Sequence, residues 1–545
     1  MYKVNNLKLN IDFDKNDLKK ILSKKLGIAI QDINSAFLSK LSLDARNKSN
    51  IVYVASIVFD TKIKLNQNKY KSVEKYVTPP KIEFKINNPQ VPNIVIVGSG
   101  PSGLFAGLTL AESGAKVTIL ERGYEMSERK MAIANLFEKG ILDAQSNIQF
   151  GEGGAGTFSD GKLNSGIKSE YINFVLETFY KYGADENILY ESRAHIGTDI
   201  LEKVIVNMRQ HLVSLGSQIL FKHHVVDVNI KDNAVKSVVV QTPDGTKVID
   251  CDILIMGIGH SSRDTIRMLA KKNLALKPKP FSMGYRIEHL QKDINMAQYG
   301  EVAQKNILPP ADYHLSVHLS NGRSIYTFCM CPGGVVVPAM SEKNTIVTNG
   351  MSYSDRAGTN SNSAILCTIE PEDFPSTDVL SGIELQEKYE RLAYSKAGGY
   401  MALVQKVGDY LKGIPSKHLG KVIPTFKPAI KLGSVEDLLP KFAVDSIKVG
   451  IVELDKKLHG FADPDATLTG VETRSSAPYQ VVRNLDMTCN IGRLYMIGEG
   501  AGFAGGIMSS AVEGIKCAKN IIDLINQSYF GWLDVQDGIE YSYQV

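Results

Sequence analysis

Short, mostly apolar runs without polar alternation mark residues 94–97 (IVIV), 116–120 (KVTIL), 253–256 (ILIM) and 494–498 (LYMIG). Runs of this kind fit strands buried on both faces, as in a parallel sheet. The first leads into an apolar helix that opens at Pro101 and is ended by Gly114. A charged helical stretch follows around Arg129 and Lys130, and residues 171–215 read as mostly helical, broken near HIGTD (195–199), where Thr198 or Asp199 can cap the next helix. Between 218 and 242 short β segments alternate with turns, and Asp232-Asn233 and Pro243-Asp244-Gly245 suggest hairpins. From 273 the pattern changes. FSMGYRIEH, YHLSVHL, SIYTFCMC, VVVPAM, TIVTNGMSY and AILCTI read as strands of an antiparallel sheet, with a long helical region over 383–411 and a further helix around 446–457.

The first 88 residues form a separate pattern: a strand over 2–11, a helix over 16–26, a second helix starting near Asp32, and a strong strand over 51–59. Pro79-Pro80, Asn87-Asn88-Pro89 and Pro92 then make a linker. The expected organisation is a small basic α+β domain (1–88), the first part of a dinucleotide-binding domain (89–272), a mainly antiparallel β substrate domain with helices (273–466), and a returning segment with a C-terminal helix (467–545). A chain of 545 residues is too long for one core, which agrees with that division.

The first run carries chemistry. Directly after it stands G-x-G-x-x-G, at Gly98, Gly100 and Gly103, with Pro101 and Ser102 opening the helix, and the next strand ends on Glu121. Gly98 suits a tight turn, Gly100 close approach to a pyrophosphate, and Gly103 close helix–strand packing. The helix N-terminus offers free N–H groups to phosphate, and Glu121 is placed for a ribose hydroxyl. Residues 150–166 (FGEGGAGTFSDGKLNSG) hold six glycines in seventeen positions, Gly154 among them. That density favours a loop pressed against a planar cofactor, with Lys162 able to place positive charge near a flavin's pyrimidine edge. The 253–256 strand ends in Gly257 and Gly259, followed by His260 at the carboxyl edge where open α/β sheets place ligands. The last run ends in Glu499-Gly500, and Gly506-Ile507 open another helix. A second acid and a second glycine-rich helix end give a two-ended cradle. It suits FAD, which has a ribityl chain to anchor, better than NAD.

Two further features stay open on sequence grounds. Cys329-Met330-Cys331 places two thiols at i and i+2 of a strand, either a redox pair or two buried inert thiols, a disulfide there being strained. Arg474, in ETRSSAP, is a candidate site-lining residue, and with Lys162, His260 and the two cysteines completes the catalytic candidates.

Composition narrows the classes. With 43% apolar and 22% charged residues the chain is globular in type. No run approaches a membrane span, no secretion signal is visible, and six dispersed cysteines make neither a disulfide framework nor a metal spacing, so the cytoplasm is the expected location and no metal is expected. Residues 1–90 carry 17 Lys and Arg against 8 Asp and Glu, leaving 45 against 50 in the rest. A basic module can serve an anionic partner such as RNA, though dispersed lysines without a recognition cluster fit an ordinary soluble surface.

GSGPSG (98–103), Glu121-Arg122-Gly123, GIGHSS (257–262) and GEGAGFAGGI (498–507) together resemble the glutathione-reductase-type FAD-binding fold, with Glu499 where that family usually has Asp. More narrowly, FGEGGAGTFSDGKLNSG, HIGTD, FCMCPGG (328–334), GVETRSSAP (470–478) and EGAGFAGGI resemble the bacterial group labelled FAD-dependent or NAD(FAD)-utilising dehydrogenases, over about residues 95–515. The resemblance implies an α/β fold: a Rossmann-like FAD-binding domain with an inserted, mainly antiparallel β substrate domain and a small α+β N-terminal domain. It also implies pyrophosphate contacts from Gly98, Gly100, Ser102 and Gly103, ribose at Glu121, Arg122 and Arg129 beside adenine, and adenine against the backbone of Val226. Gly257 and Gly259 would pass the cofactor, Glu499 and Gly500 hold the ribityl phosphate, and Gly506 and Ile507 meet the flavin edge. No second G-x-G-x-x-G with strand, helix and acid in register and no C-x-x-x-x-C pair stands in the chain. The expected function is therefore an FAD-dependent oxidoreductase acting on a small organic substrate, with NAD(P)H at most a transient donor. An RNA-modifying flavoenzyme and a sensory flavoprotein are the alternatives.

Overall fold

The computed structural model describes residues 1–65, 70 and 72–527. Its centre is a five-stranded parallel sheet in the order Leu494–Met496, Ile253–Met256, Ile94–Val97, Val117–Leu120, Gln218–Leu220. The four residues of Ile94–Val97 and of Ile253–Met256 are all buried, because both faces of the sheet are covered. On one face Ile94, Ile96, Ile253 and Ile255 pack against Ala106 and Leu110 of the helix Pro101–Glu112, Leu212 of Thr198–Ser214, and Ile521 of Ile507–Gln527. On the other, Val95, Val97, Leu254 and Met256 pack against Val225, Val228 and Val238 of an antiparallel meander, His224–Lys231, Ala234–Thr242 and Gly245–Asp250. The predicted hairpins are its two turns. Asp232 and Asn233 both take positive φ (53° and 54°), the backbone of a two-residue turn matched to strand twist.

The second layer is a seven-stranded sheet in the order Ser316–His318, Ser324–Cys331, Asn360–Ile369, Phe281–Leu290, Thr467–Glu472, Met401–Lys406, Ala429–Leu432. Only the last pair is parallel. Phe281–Leu290 is buried at every position, since the helices Ser381–Ala397 and Lys441–Asp455 and a separate antiparallel pair, Val335–Pro338 with Thr348–Met351, pack against the sheet. The N-terminal residues make a four-stranded antiparallel sheet, Ile33–Asp44, Val52–Thr61, Tyr2–Leu9, Val73–Lys75, closed by Leu18, Leu22 and Leu26 of one helix. Its strand Ile33–Asp44 joins the body through Leu41, whose N–H donates to Tyr190 O at 2.7 Å and whose carbonyl accepts from Ser192 N at 2.9 Å.

Four expectations are corrected. The segment after Asp32 is a strand, not a helix; register shifts at Ile33/Ser35 and Leu38/Lys40 break its alternation and hide the period of two. The helical region expected over 383–411 is split: Gly398 and Gly399, both at positive φ, end the helix, and Met401–Lys406 pairs between two other strands. Thr467–Glu472, expected to return to the first domain, is a central strand of the second sheet. Neither Thr198 nor Asp199 caps. Gly197 is the cap residue, Thr198 Oγ1 donates to Thr157 O, and Asp199 accepts from the N–H and hydroxyl of Ser354. The C-terminal helix runs to Gln527, and residues 528–545 of the returning segment lie outside the described residues.

Candidate functional site

A single cavity of about 810 Å³ runs from the carboxyl edge of the parallel sheet to the face of the second sheet. Two helix N-termini open onto it. Gly98 (φ 97°) turns the chain out of the first strand, and a Cβ at Gly103 would stand 2.0 Å from Gly98 O, so that turn needs glycine at both ends. Gly100 precedes the helix with no side-chain cap, so the first amides stay free for a ligand. Ile507–Gln527 lies against this helix through Gly514, where a Cβ would meet Ser102 O at 2.1 Å. Sequence reading missed Gly514; a glycine inside a helical pattern was the signal.

The lining brings together Gly98, Gly100, Pro101, Ser102, Glu121, Arg122, Gly154, Lys162, Gly257, Gly259, His260, Cys329, Arg474, Glu499, Gly506 and Ile507. Five expected residues lie elsewhere. Gly103 supports the turn from behind, and Gly500 packs its backbone on Ile258 and Gly259. Val226 points outward, 40% exposed, while Val225 lines the cavity. Cys331 is fully buried behind Cys329. Arg129 is also fully buried: its guanidinium donates to the carbonyls of Asn147, Ile148 and Glu152 and stacks on Phe158, 4.6 Å away, so it shapes the glycine-rich loop and does not reach an adenine.

Of the residues in place, several are held by the chain itself. Glu121 accepts from Ser99 N and Ser99 Oγ on one oxygen and from Gly123 N and Gly151 N on the other, all within 2.8–3.0 Å. Four bonds fill a carboxylate, so a ligand hydroxyl could reach Glu121 only by taking the place of the rotatable Ser99 hydroxyl. Arg122 forks onto Asp264 at 2.9 and 3.1 Å and stacks on Phe150. Burial first, then Arg474 and Arg263, push the His260 imidazole down to about 3, so it is neutral and no proton shuttle near pH 7. Arg474 donates to Ser261, Ser341 and both oxygens of Glu390, which also binds Arg263 and Thr473. Sequence reading missed Glu390 and Arg263, since the three charges lie far apart along the chain. Lys162 donates to Met330 O, tying the glycine-rich loop to the second sheet, and Asp160 of that loop forks onto Arg356.

The cavity fits a flavin dinucleotide. A Cβ on Gly259 would meet nothing within 4 Å, and on Gly100 or Gly506 nothing nearer than 3.7 Å, so the backbone itself forms an open cradle. His260 Nε2 is buried at its wall with no hydrogen-bond partner among the described residues, an orphan that a cofactor would satisfy. The volume is near the top of the usual range for ligand sites, about 300–1,000 Å³.

Comparison with known proteins agrees. Residues 93–138 match the FAD binding domain family, 280–475 a family described as FAD-dependent protein, C-terminal domain-like, and 1–60 a domain of unknown function. An uncharacterized protein of Clostridium beijerinckii is 43% identical over 528 residues, 96% of this chain and 98% of that one. The chain belongs to that protein's family. FAD is the cofactor of this family member. Thiamine thiazole synthase of Methanococcus aeolicus is 50% identical over 52 residues, 10% of this chain and 19% of that one. A solved structure, the flavin-dependent brominase Bmp2, is 12% identical, with a TM-score of 0.37 and 81% of each chain covered. No helix among the described residues is long and apolar enough to cross a membrane.

Proposed function

We propose that this is an FAD-dependent oxidoreductase, of the glutathione-reductase type in its cofactor-binding half, that exchanges a hydride or electrons with a small organic substrate. The carrying observation is the shared cavity: the first helix N-terminus, the second sheet's Thr327–Met330 segment, and Asn349 of the strand Thr348–Met351 face the same space. Bound flavin supplies a ring that takes up or gives two electrons.

The chain's residues divide the remaining work. The Ser102 amide and those after Gly506 would hold phosphate oxygens, with Arg122 and His224 placed for the adenine end and Glu499 for the ribityl end. Burial pushes the Glu499 carboxyl up, Lys279 working against it; its oxygens would accept from the hydroxyls of a polyol. The glycine-rich loop walls the cavity, held by Lys162 to Met330 O of the second sheet and by Asp160 to Arg356 in the connection that precedes Asn360–Ile369. Substrate enters beside Phe328, 37% exposed, near the Arg193–Asp312 pair. That mouth carries both charge signs and an aromatic face, which suits a polar molecule with an apolar part.

Anaerobic addition of NADH, then NADPH, to the purified yellow protein tests the reading. Bleaching of the flavin bands by one nucleotide identifies a reductase. Bleaching only by an amine, alcohol or saturated acid identifies a dehydrogenase fed by its substrate. A protein that takes up no FAD, or a flavin that no donor reduces, sinks the proposal.

A further inference from the structure

Cys329 sits where the strand Ser324–Cys331 breaks. The register to its partner strand shifts between Phe328 and Cys331, and Cys329 has φ of 45°, in the left-handed region a non-glycine residue seldom adopts. The bulge changes what the spacing alone implies. Cys329 turns to the cavity wall, while Cys331 stays fully buried with its thiol 3.3 Å from Cys329 O. Glycines leave room for that arrangement: a Cβ at Gly350 would stand 2.9 Å from Cys331 Sγ, and one at Gly334 would stand 2.9 Å from Cys331 Cβ.

Cations converge on the same point. Arg286, fully buried, donates to Cys329 O at 2.8 Å and forks onto Glu472, and Lys162 donates to the next carbonyl, Met330 O. The Cys331 thiol, then Arg286 and Lys162, bring the Cys329 thiol down to about 6 against burial and Asp160. Glu472, the other acid on Arg286, is pushed up to about 7 by burial, with Cys329 adding to the push. Cys331 is pushed well up, first by its bond to Cys329 and then by burial. One thiolate and one thiol side by side, the thiolate facing a ligand cavity, is the arrangement of a reactive pair. Burial pushes the thiols of Cys251, Cys367 and Cys489 up to about 12, 11 and 12, so they are inert by comparison.

We propose that Cys329 and Cys331 are a second two-electron centre, a cavity-wall dithiol that closes to a disulfide as it reduces the flavin. This rests on the reading that flavin occupies the cavity. The balance is complete: the Cys329 thiolate and Cys331 thiol lose two electrons and one proton as the S–S bond forms and the Cys331 S–H bond breaks. Oxidised flavin takes both electrons and that proton to become the anionic reduced form. The bulge answers the strain of a C-x-C disulfide, because it breaks the regular strand at Cys329 and leaves the Cys331 thiol folded back to within 3.3 Å of the Cys329 carbonyl.

Two measurements test this. Anaerobic dithionite titration of the FAD-loaded, air-oxidised protein should consume about four electron equivalents per flavin, and the Cys329→Ser and Cys331→Ser variants about two. Iodoacetamide labelling of the reduced wild-type chain, mapped by mass, should modify Cys329 first, with a half-maximal rate near pH 6. That readout needs neither a variant that folds nor flavin. About two equivalents in the wild type, or a Cys329 that titrates like an ordinary thiol at about 8.5, overturns the proposal. A chain that takes up no flavin fails the functional reading instead. The thiol pair is then judged by labelling and by a two-dalton loss from the 329–331 peptide on oxidation by diamide.

Discussion

Gly100 and Gly103 are three positions apart and glycine for different reasons. At Gly100, with φ of −70°, an added methyl would meet nothing nearer than Gly154 Cα at 3.8 Å, so the fold does not require glycine there. At Gly103 the methyl would press on Gly98 O at 2.0 Å. The two substitutions therefore separate cofactor binding from stability. Gly100→Ala should change unfolding free energy by no more than about 0.5 kcal/mol and weaken FAD binding about tenfold or more, or about 1.4 kcal/mol. Gly103→Ala should destabilise the apoprotein itself by about 1–3 kcal/mol, as an overpacked site does. Urea midpoints of the apoproteins and flavin fluorescence titrations read both effects. Equal loss of stability in the two variants would mean that Gly100 serves the turn and not the ligand.

At the scale of elements, the contact between the two helices that open onto the cavity sets the distance between their N-termini. Gly514 permits that contact, since any side chain would meet Ser102 O, Ser102 C and Ala106 N within about 3 Å. Gly514→Ala is expected to cost about 1–3 kcal/mol and to lower FAD affinity by moving one helix N-terminus off its phosphate. A variant that loses stability but binds FAD as tightly as before would uncouple helix spacing from the cofactor. Elements of this kind differ in how far sequence exposes them. The strands at 94–97, 117–120, 253–256 and 494–496 were legible because a buried parallel strand and a glycine turn are local demands, written in adjacent residues. Met401–Lys406 was not. Its Ala, Leu, Gln and Lys favour a helix, and pairing with Thr467–Glu472 and Ala429–Leu432 overrides them; Gly398-Gly399 was the one local sign that the helix ends. Ile33–Asp44 was misread because bulges disturb its alternation. The acidic and basic partners inside the site, Glu390 with Arg263 and Asp160 with Arg356, could not be paired by any pattern along the chain, since nothing local marks a contact across more than a hundred residues.

At the scale of the whole molecule, the two layers are held together under the cavity by Glu390. It reaches from the helix Ser381–Ala397 to Arg263 beside the parallel sheet and Arg474 beyond the second sheet, with bonds of 2.7–3.1 Å and less than a tenth of any partner exposed. Burying three charges is expensive. Removing the anion is worse, because the two guanidinium groups are then left with neutral acceptors and, among the described residues, one carboxylate within 4 Å, Glu342, 3.2 Å from Arg263 and 3.9 Å from Arg474. Glu390→Gln, nearly the same shape, should therefore cost about 3–5 kcal/mol at pH 7. Burial opposes ionisation of Glu390, but the two arginines outweigh it and hold the carboxyl well below the usual range. A carboxyl whose folded pKa lies below its unfolded value, about 4.3, lends full stability above that value and loses it as pH falls toward the folded pKa. The gap between parent and variant should thus be constant from pH 7 to about 5 and shrink progressively below about 4.3. Urea unfolding of both proteins at pH 7, 5 and 3.5 measures it. A variant as stable as its parent at pH 7 would show that the layers are joined by packing alone. A gap that persists undiminished at pH 3.5 would place the loss in shape and not in charge.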